Sequence, residues 1–187
     1  FDKDGGLEHD DITSILEKAS SVEEKDVDIS KCESFDLLSI YAEHLKKAIS
    51  EGIGASSEKP LAGLKIVVDS GNGASGFFVD KILNPLGADT TGSQFLEPDG
   101  MFPNHIPNPE NKVAMEFIRK ATVENNCDLG VIFDTDVDRA SCVDEKGDEI
   151  NRNSIVALAS VIALEGNEGG SIVTDSVTSD GLREFIE

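Results

Sequence analysis

The sequence predicts an α/β fold, a three-layer domain with a mainly parallel mixed sheet, preceded by helices. Three observations carry that prediction. Short runs rich in β-branched residues, LKIVVD (64–69), LGVIFD (129–134) and SIVTD (171–175), have the length of buried strands rather than of helices. Segments with apolar residues at three- and four-residue spacing lie between them, as crossover helices of a parallel sheet do. Glycine turns and a proline-bearing loop punctuate the alternation.

From Asp10 to Ser20, Ile12, Ile15, Leu16 and Ala19 share one helical face, and acidic residues at the start favour the dipole. Residues 20–33 read as an acidic linker. Ser34 is a candidate N-cap for a longer helix in which Phe35, Leu38, Tyr41, Ala42, Leu45 and Ile49 recur, ending at Gly52 and Gly54. GIGASSEKP (52–60) is the best domain boundary in the chain. Beyond it come a buried strand over 64–69, the turn GNGASG (71–76), a helix over 77–86 that ends at Gly87, and a weak second strand over 89–95. Residues 96–109, with four prolines, form a long loop. Val113, Phe117, Ile118 and Ala121 make 110–125 an amphipathic helix, and 129–134 is the most strand-like run. ASCVDEKGDEI (140–150) reads as a hairpin turning at Lys146-Gly147-Asp148. Residues 155–164 are apolar nearly all round, which predicts a buried helix, and 171–175 predict a last strand.

Composition narrows function before any motif does. The 187 residues hold 16 Lys plus Arg against 37 Asp plus Glu, a formal charge of −21, which lacks the basic footprint of nucleic-acid binding. The longest apolar run, 155–164, is too short to span a membrane. The chain starts at Phe1 with FDKDGGLEHDD, without an initiator methionine or the basic-then-apolar order of a signal peptide, and so is expected to be part of a longer protein. Cys32, Cys127 and Cys142 show neither a CxxC pair nor a histidine at ligand spacing, and are expected to be reduced packing residues of an intracellular compartment.

Two motifs carry chemistry. Gly71-Asn72-Gly73-Ala74-Ser75-Gly76 fits GxGxxG after a strand, with Glu97 about twenty residues on, as in a dinucleotide-binding fingerprint. The same glycines equally permit a sharp strand-to-helix turn with no ligand. The stronger motif is DTDVDR, in which Asp134, Asp136 and Asp138 alternate directly after a strand. Three carboxylates so close repel one another unless a cation neutralises them or water solvates them. Oxygen donors without sulfur or imidazole favour Mg²⁺ or Ca²⁺ over Zn²⁺. A calcium-binding EF-hand loop starting at Asp134 would need glycine where Arg139 stands, which disfavours that calcium motif. A solvated acidic turn with Arg139 as counter-ion is the plainer alternative.

Taken together and in order, GLKIVVDSGNGASG, DGMFPNHIPNPEN and FDTDVDRASCVDEKGDEINRN resemble the α-D-phosphohexomutases, the phosphoglucomutase and phosphomannomutase family. The resemblance runs from about Asp10 to the end. It implies a division into 1–58 (helical tail of the family's first domain plus linker), 59–174 (its second α/β domain, with the metal loop) and 175–187 (start of the third). The implied activity is a Mg²⁺-dependent interconversion of hexose 1-phosphate and 6-phosphate through a phosphoserine and a bisphosphorylated sugar. Asp134, Asp136 and Asp138 are then the metal ligands, and Arg139 steadies the transferring group. The family's DGDGDR has become DTDVDR, with Thr135 and Val137 in place of glycines, so the loop is expected to be competent but stiffer.

No TASHNP-like serine loop or GEMSGH-like sugar loop occurs in the chain, so the nucleophile is expected elsewhere and the fragment is expected to be inactive alone. A catalytically silent homologue serving as a binding or structural subunit is the alternative, followed by a dinucleotide-binding oxidoreductase domain. The implied partner is a hexose phosphate, with no nucleic acid and no membrane. The implied compartment is the cytoplasm, or an organelle stroma such as the plastid if a transit peptide lies upstream. His105 in FPNHIPNP reads as an ordinary exposed loop histidine, with a role toward substrate in an interdomain cleft as the alternative, and His9 and His44 read as surface residues.

Overall fold

The structure is a computed structural model that describes residues 5–23, 28–167 and 169–186. It divides after Asp36 into two compact units. The first contains helix α1 (His9–Ser20), whose start is closed by the Asp11 carboxylate accepting from the Glu8 N–H at 3.0 Å. The acidic stretch after α1 ends in a single 3₁₀ turn, Ile29–Lys31, while 24–27 lie outside the described residues.

The second unit carries the sheet. Its strands are β1 (Ile66–Asp69), β2 (Leu129–Phe133) and β3 (Ala140–Asp144), in the order β1-β2-β3. β1 and β2 are parallel, with Ile66 opposite Leu129 and Asp69 opposite Ile132; β2 and β3 are antiparallel. Alternation along the strands separates two cores. Val67, Ile132 and Val143 pack under α3 (Lys112–Glu124) with Ala114, Met115, Ile118 and Ala121. Ile66 faces the opposite way, against Ile82, Leu86 and residues Ala42, Leu45 and Ile49 of α2 (Leu37–Gly52). Helical layers thus cover both faces, which is why β1 is buried at every position and reads as an unbroken apolar run. The hairpin turns where expected: Gly147, at φ +79°, donates its N–H to the Asp144 carbonyl oxygen at 2.9 Å.

Several expectations are corrected. Residues 79–83 wind as a wide π-helical turn rather than an α-helix, with Asn84 N–H donating to the Val79 carbonyl five residues back. The strand expected over 89–95 is reduced to isolated parallel bridges, Asp89 with Lys65 and Gln94 with Asp69; between them the Ser93 N–H closes a turn onto the Thr90 carbonyl oxygen, and Ser93 Oγ accepts from Val68 N–H at 3.0 Å. The helix over 155–164 exists as α4 (Arg152–Leu164), but Leu158 and Ile162 are 61% and 63% exposed. Both sheet faces already have their helices, and α4 packs against the short α5 (Asp180–Ile186), so an apolar composition marked a surface without a matching partner here. Residues 171–175 are not a strand: among the described residues no strand pairs with them, and Val173 is 92% exposed. Cys127 is buried as expected of a packing residue, whereas Cys32 is exposed; all three cysteines are free.

Candidate functional site

Because β1 and β2 run in parallel and in register, the loops leaving their carboxyl ends emerge side by side, where α/β sheets gather ligand-binding groups. The β1 loop is the glycine turn and the β2 loop is the acidic one. They touch through the backbone: Ala74 N–H donates to the Thr135 carbonyl oxygen at 2.9 Å. A Cβ on Gly73 would stand 2.8 Å from that oxygen and 3.1 Å from Thr135 Cα. On the turn's other side, a Cβ on Gly71 would meet Pro107 Cβ at 2.8 Å and His105 Cε1 at 2.9 Å.

The space that these glycines open is therefore filled by protein. The turn leads into a 3₁₀ segment (Ala74–Gly76) and then the wide turn, so the α-helical N-terminus on which a pyrophosphate rests is missing among the described residues. Glu97, the candidate ribose ligand, only lends its main-chain carbonyl to the Asn72 amide at 2.9 Å.

The acidic loop is closed on itself. Asp134 N–H donates to the Arg139 carbonyl oxygen, and Arg139 N–H returns a bond to Asp134 Oδ1, both at 3.1 Å. The Asp134 side chain is fully buried, while Asp136 and Asp138 are exposed. Each of the three can place a carboxylate oxygen within 4.8 Å of the others. Arg139 lies along the cluster, with Nη2 3.0 Å and Nε 3.1 Å from Asp134 Oδ2, and Nε 3.4 Å from Asp138 Oδ1.

Burial opposes ionisation of Asp134, but the Arg139 N–H and the neighbouring side chains outweigh it and hold its pKa below the usual value. Asp138 is raised, first by its hydrogen bond with Asp134 and then by the negative charges of Asp136 and Asp134. One carboxylate is thus firmly ionised while another resists ionisation, the signature of an anionic cluster short of positive charge. Val137 stands between two of the aspartates at φ +71°, a left-handed conformation that costs a β-branched residue dearly. Its side chain leans on the patch formed by Val68, Val79 and Phe133. An open cleft of about 620 Å³ borders Asp136 and Val137, and Tyr41, Phe77, Lys81 and Leu96 also line it.

His105 is a correction. It is 6% exposed, with Nε2 3.0 Å from Asp69 Oδ1 and Nδ1 3.0 Å from its neighbour's carbonyl oxygen, Ile106 O. Asp69, at the end of β1, was missed in the sequence because a carboxylate closing an apolar run looks like the start of a loop. Asn108 was missed as well; its Oδ1 accepts from Arg139 Nη1 at 3.4 Å. The density of polar and proline residues in FPNHIPNP was the available signal. His9 and His44 are exposed, as expected. Ser70 and Ser141 are fully buried, which keeps both hydroxyls from acting as nucleophiles toward a bound sugar.

Comparison with known proteins adds an independent line. A family model described as phosphoglucomutase/phosphomannomutase, alpha/beta/alpha domain II, matches residues 39–147. A phosphomannomutase of Salmonella montevideo is 42% identical over 119 residues, covering 62% of this chain and 26% of that protein. A phosphomannomutase of Escherichia coli is 37% identical over 147 residues, covering 76% of this chain and 31% of its own length. Among solved structures, a phosphoglucomutase/phosphomannomutase family protein from Burkholderia thailandensis superposes with a TM-score of 0.68 at 27% identity, covering 82% of this chain and 31% of that one. The chain thus spans between a quarter and a third of the length of these relatives. Among the described residues, no helix is long and apolar enough to cross a membrane.

Proposed function

The chain belongs to the phosphoglucomutase/phosphomannomutase family, and from that premise we propose that it is the metal-loop segment of a phosphohexomutase. The full protein would interconvert hexose 1-phosphate and 6-phosphate through a phosphoserine supplied by sequence outside this chain. The observation that carries the reading is the convergence of Asp134, Asp136 and Asp138 within 4.8 Å at the carboxyl end of a parallel strand, with Arg139 alongside. All the donors are hard carboxylate oxygens, a set that would suit Mg²⁺. When bound, the ion would neutralise the phosphoryl group's negative charge as it transfers.

The protein's own residues supply positioning. Asp134 is anchored by burial and by Arg139 and would be the fixed ligand; Asp136 and Asp138, exposed to solvent, would complete the set. Arg139 is half-exposed, and its five donors exceed what Asp134 and Asp138 use, leaving it able to hold a phosphoryl oxygen. The glycine turn holds the loop at Thr135. Relatives carry the names phosphomannomutase and phosphomannomutase/phosphoglucomutase, which supports a hexose phosphate as substrate. Without the TASHNP-like serine loop that the resemblance calls for, the chain alone is expected to bind metal weakly and not to turn over.

The test is Asp136→Asn in the full-length enzyme. Asp136 is exposed, so the fold should survive. Loss of turnover together with weakened Mg²⁺ binding is expected. Unchanged turnover and unchanged metal affinity would sink the assignment.

A further inference from the structure

The loop over 99–109 crosses from the glycine turn to the acidic loop, and a buried polar pair holds its middle. His105 packs edge-on against Phe95 and tilted against Phe117 of α3, with centroids 5.5 and 5.1 Å away. Its Nε2 is 3.0 and 3.1 Å from the two oxygens of Asp69, and its Nδ1 is 3.0 Å from the Ile106 carbonyl oxygen. A carbonyl and a carboxylate only accept, so using both contacts requires a proton on each ring nitrogen, which makes the ring an imidazolium. Asp69 is tied down in turn: Gly71 N–H donates to Oδ1 and the Gln94 amide to Oδ2, both at 2.8 Å. Asp69, from β1, is the charged group acting on the ring; Phe95 and Phe117 present only aromatic surface.

Three residues on, the same loop meets Arg139. Asn108 Oδ1 accepts from Arg139 Nη1 at 3.4 Å and from Glu110 N–H at 2.9 Å, while Asn108 N–H donates to Ile106 O at 2.8 Å. Pro107 and Pro109 flank it with restricted φ. Asn108 therefore cannot swing freely while His105 stays pinned.

We propose that the ion pair of His105 with Asp69 is a positioning device for Arg139, fixing the loop whose Asn108 holds one side of the guanidinium while Asp134 holds the other. The inference rests on reading Asp134–Arg139 as the phosphoryl-transfer loop, and it adds proton linkage to that reading. Loss of the His105 proton leaves Asp69 buried without its counter-charge and loosens the loop. Arg139 then loses Asn108 and is left to the acidic cluster alone, where it competes with a cation for Asp134.

The test is ¹⁵N NMR of the full-length protein with labelled histidine and arginine, followed from about pH 6 to 8.5, a window in which ordinary carboxylates and guanidinium groups do not titrate. His105 is expected to be doubly protonated at neutral pH, with a midpoint above the ordinary imidazole value, and the Arg139 Nε–H resonance should shift with that same midpoint. In Asn108→Ala, which removes the link but leaves the pair, His105 should keep its midpoint while Arg139 stops following it. A neutral His105 at neutral pH, an Arg139 signal indifferent to it, or an Arg139 signal that still tracks it in Asn108→Ala overturns the proposal. Mg²⁺ added to the same sample and read at the Arg139 main-chain amide, which donates to Asp134 Oδ1, tests the metal reading separately, since its failure would leave the His105 to Arg139 linkage intact.

Discussion

The main-chain N–H of Ala74 donates to the carbonyl oxygen of Thr135 at 2.9 Å, joining a turn after β1 to a loop after β2. Neither loop is positioned by its own sequence neighbours alone. The acidic residues hold their arrangement because the glycine turn approaches so closely that a side chain at Gly73 has no room.

Gly73→Ala tests that contact. The added methyl would stand 2.8 Å from Thr135 O and 3.1 Å from Ser70 O, both backbone atoms that cannot rotate away. Overpacking of this kind costs about 1–3 kcal/mol. Urea unfolding should show a loss in that range, and Mg²⁺ titration should show weaker binding, because the displaced partner is the acidic loop itself.

Val137 predicts an inverted order of substitutions. A left-handed backbone costs a residue with a Cβ roughly 1–2 kcal/mol, and Gly escapes that cost. Against the gain stand the added unfolded-state entropy of Gly, about 0.5–1 kcal/mol, and the loss of half-buried packing on the Val68 and Phe133 patch. Val137→Ala loses the packing and keeps the strain. Val137→Gly should therefore be at least as stable as Val137→Ala in paired denaturant titrations, with metal binding retained.

The His105 and Asp69 pair sets a pH dependence whose sign is fixed. Burial opposes the imidazolium, but the hydrogen bond to Asp69, with that to the Ile106 carbonyl, wins and raises the pKa above 6.5. A raised folded value means that the contribution is fully present below the unfolded pKa and is lost as pH rises through the folded one. Thermal stability should fall across mildly alkaline pH in the native chain. His105→Gln should be less stable at pH 6 and lack that fall, and parallel melting curves would refute the pair's role.

Metal should act as a stabilising ligand. Binding to the folded state alone adds about 2.7 kcal/mol at a hundredfold excess over the dissociation constant. Melting of the chain should thus rise with Mg²⁺ and return on chelation. Asp136→Asn should blunt the response by at least the roughly tenfold affinity loss that even supporting residues of metal sites produce. An identical rise in both proteins would point to ionic strength instead.

Much of this was legible because local signals agreed with tertiary need. LGVIF is β-branched and covered on both faces, so its composition and its environment ask for the same structure, and DTDVDR comes directly after it at a place where sheets collect ligands. The motif order alone identified the family, and the alternation of aspartates alone marked the candidate site. Where a segment's outcome depended on a distant partner, the local signal misled. Residues 155–164 are apolar enough for a core, yet among the described residues no layer covers them; 171–175 have strand composition, yet no described strand pairs with them.

The sequence by itself determined the fold class, the order of the main elements and the three carboxylates that can share a cation. Only the tertiary structure decided what the glycines are for, that Val137 sits in a left-handed conformation, and that His105 is a buried ion-pair partner rather than an exposed loop residue. The physical reason is the range of the interactions. Strands and turns arise from neighbours a few residues apart, whereas the approach of Gly73 to Thr135 and of His105 to Asp69 exists only once parallel strands bring remote loops to one edge of the sheet.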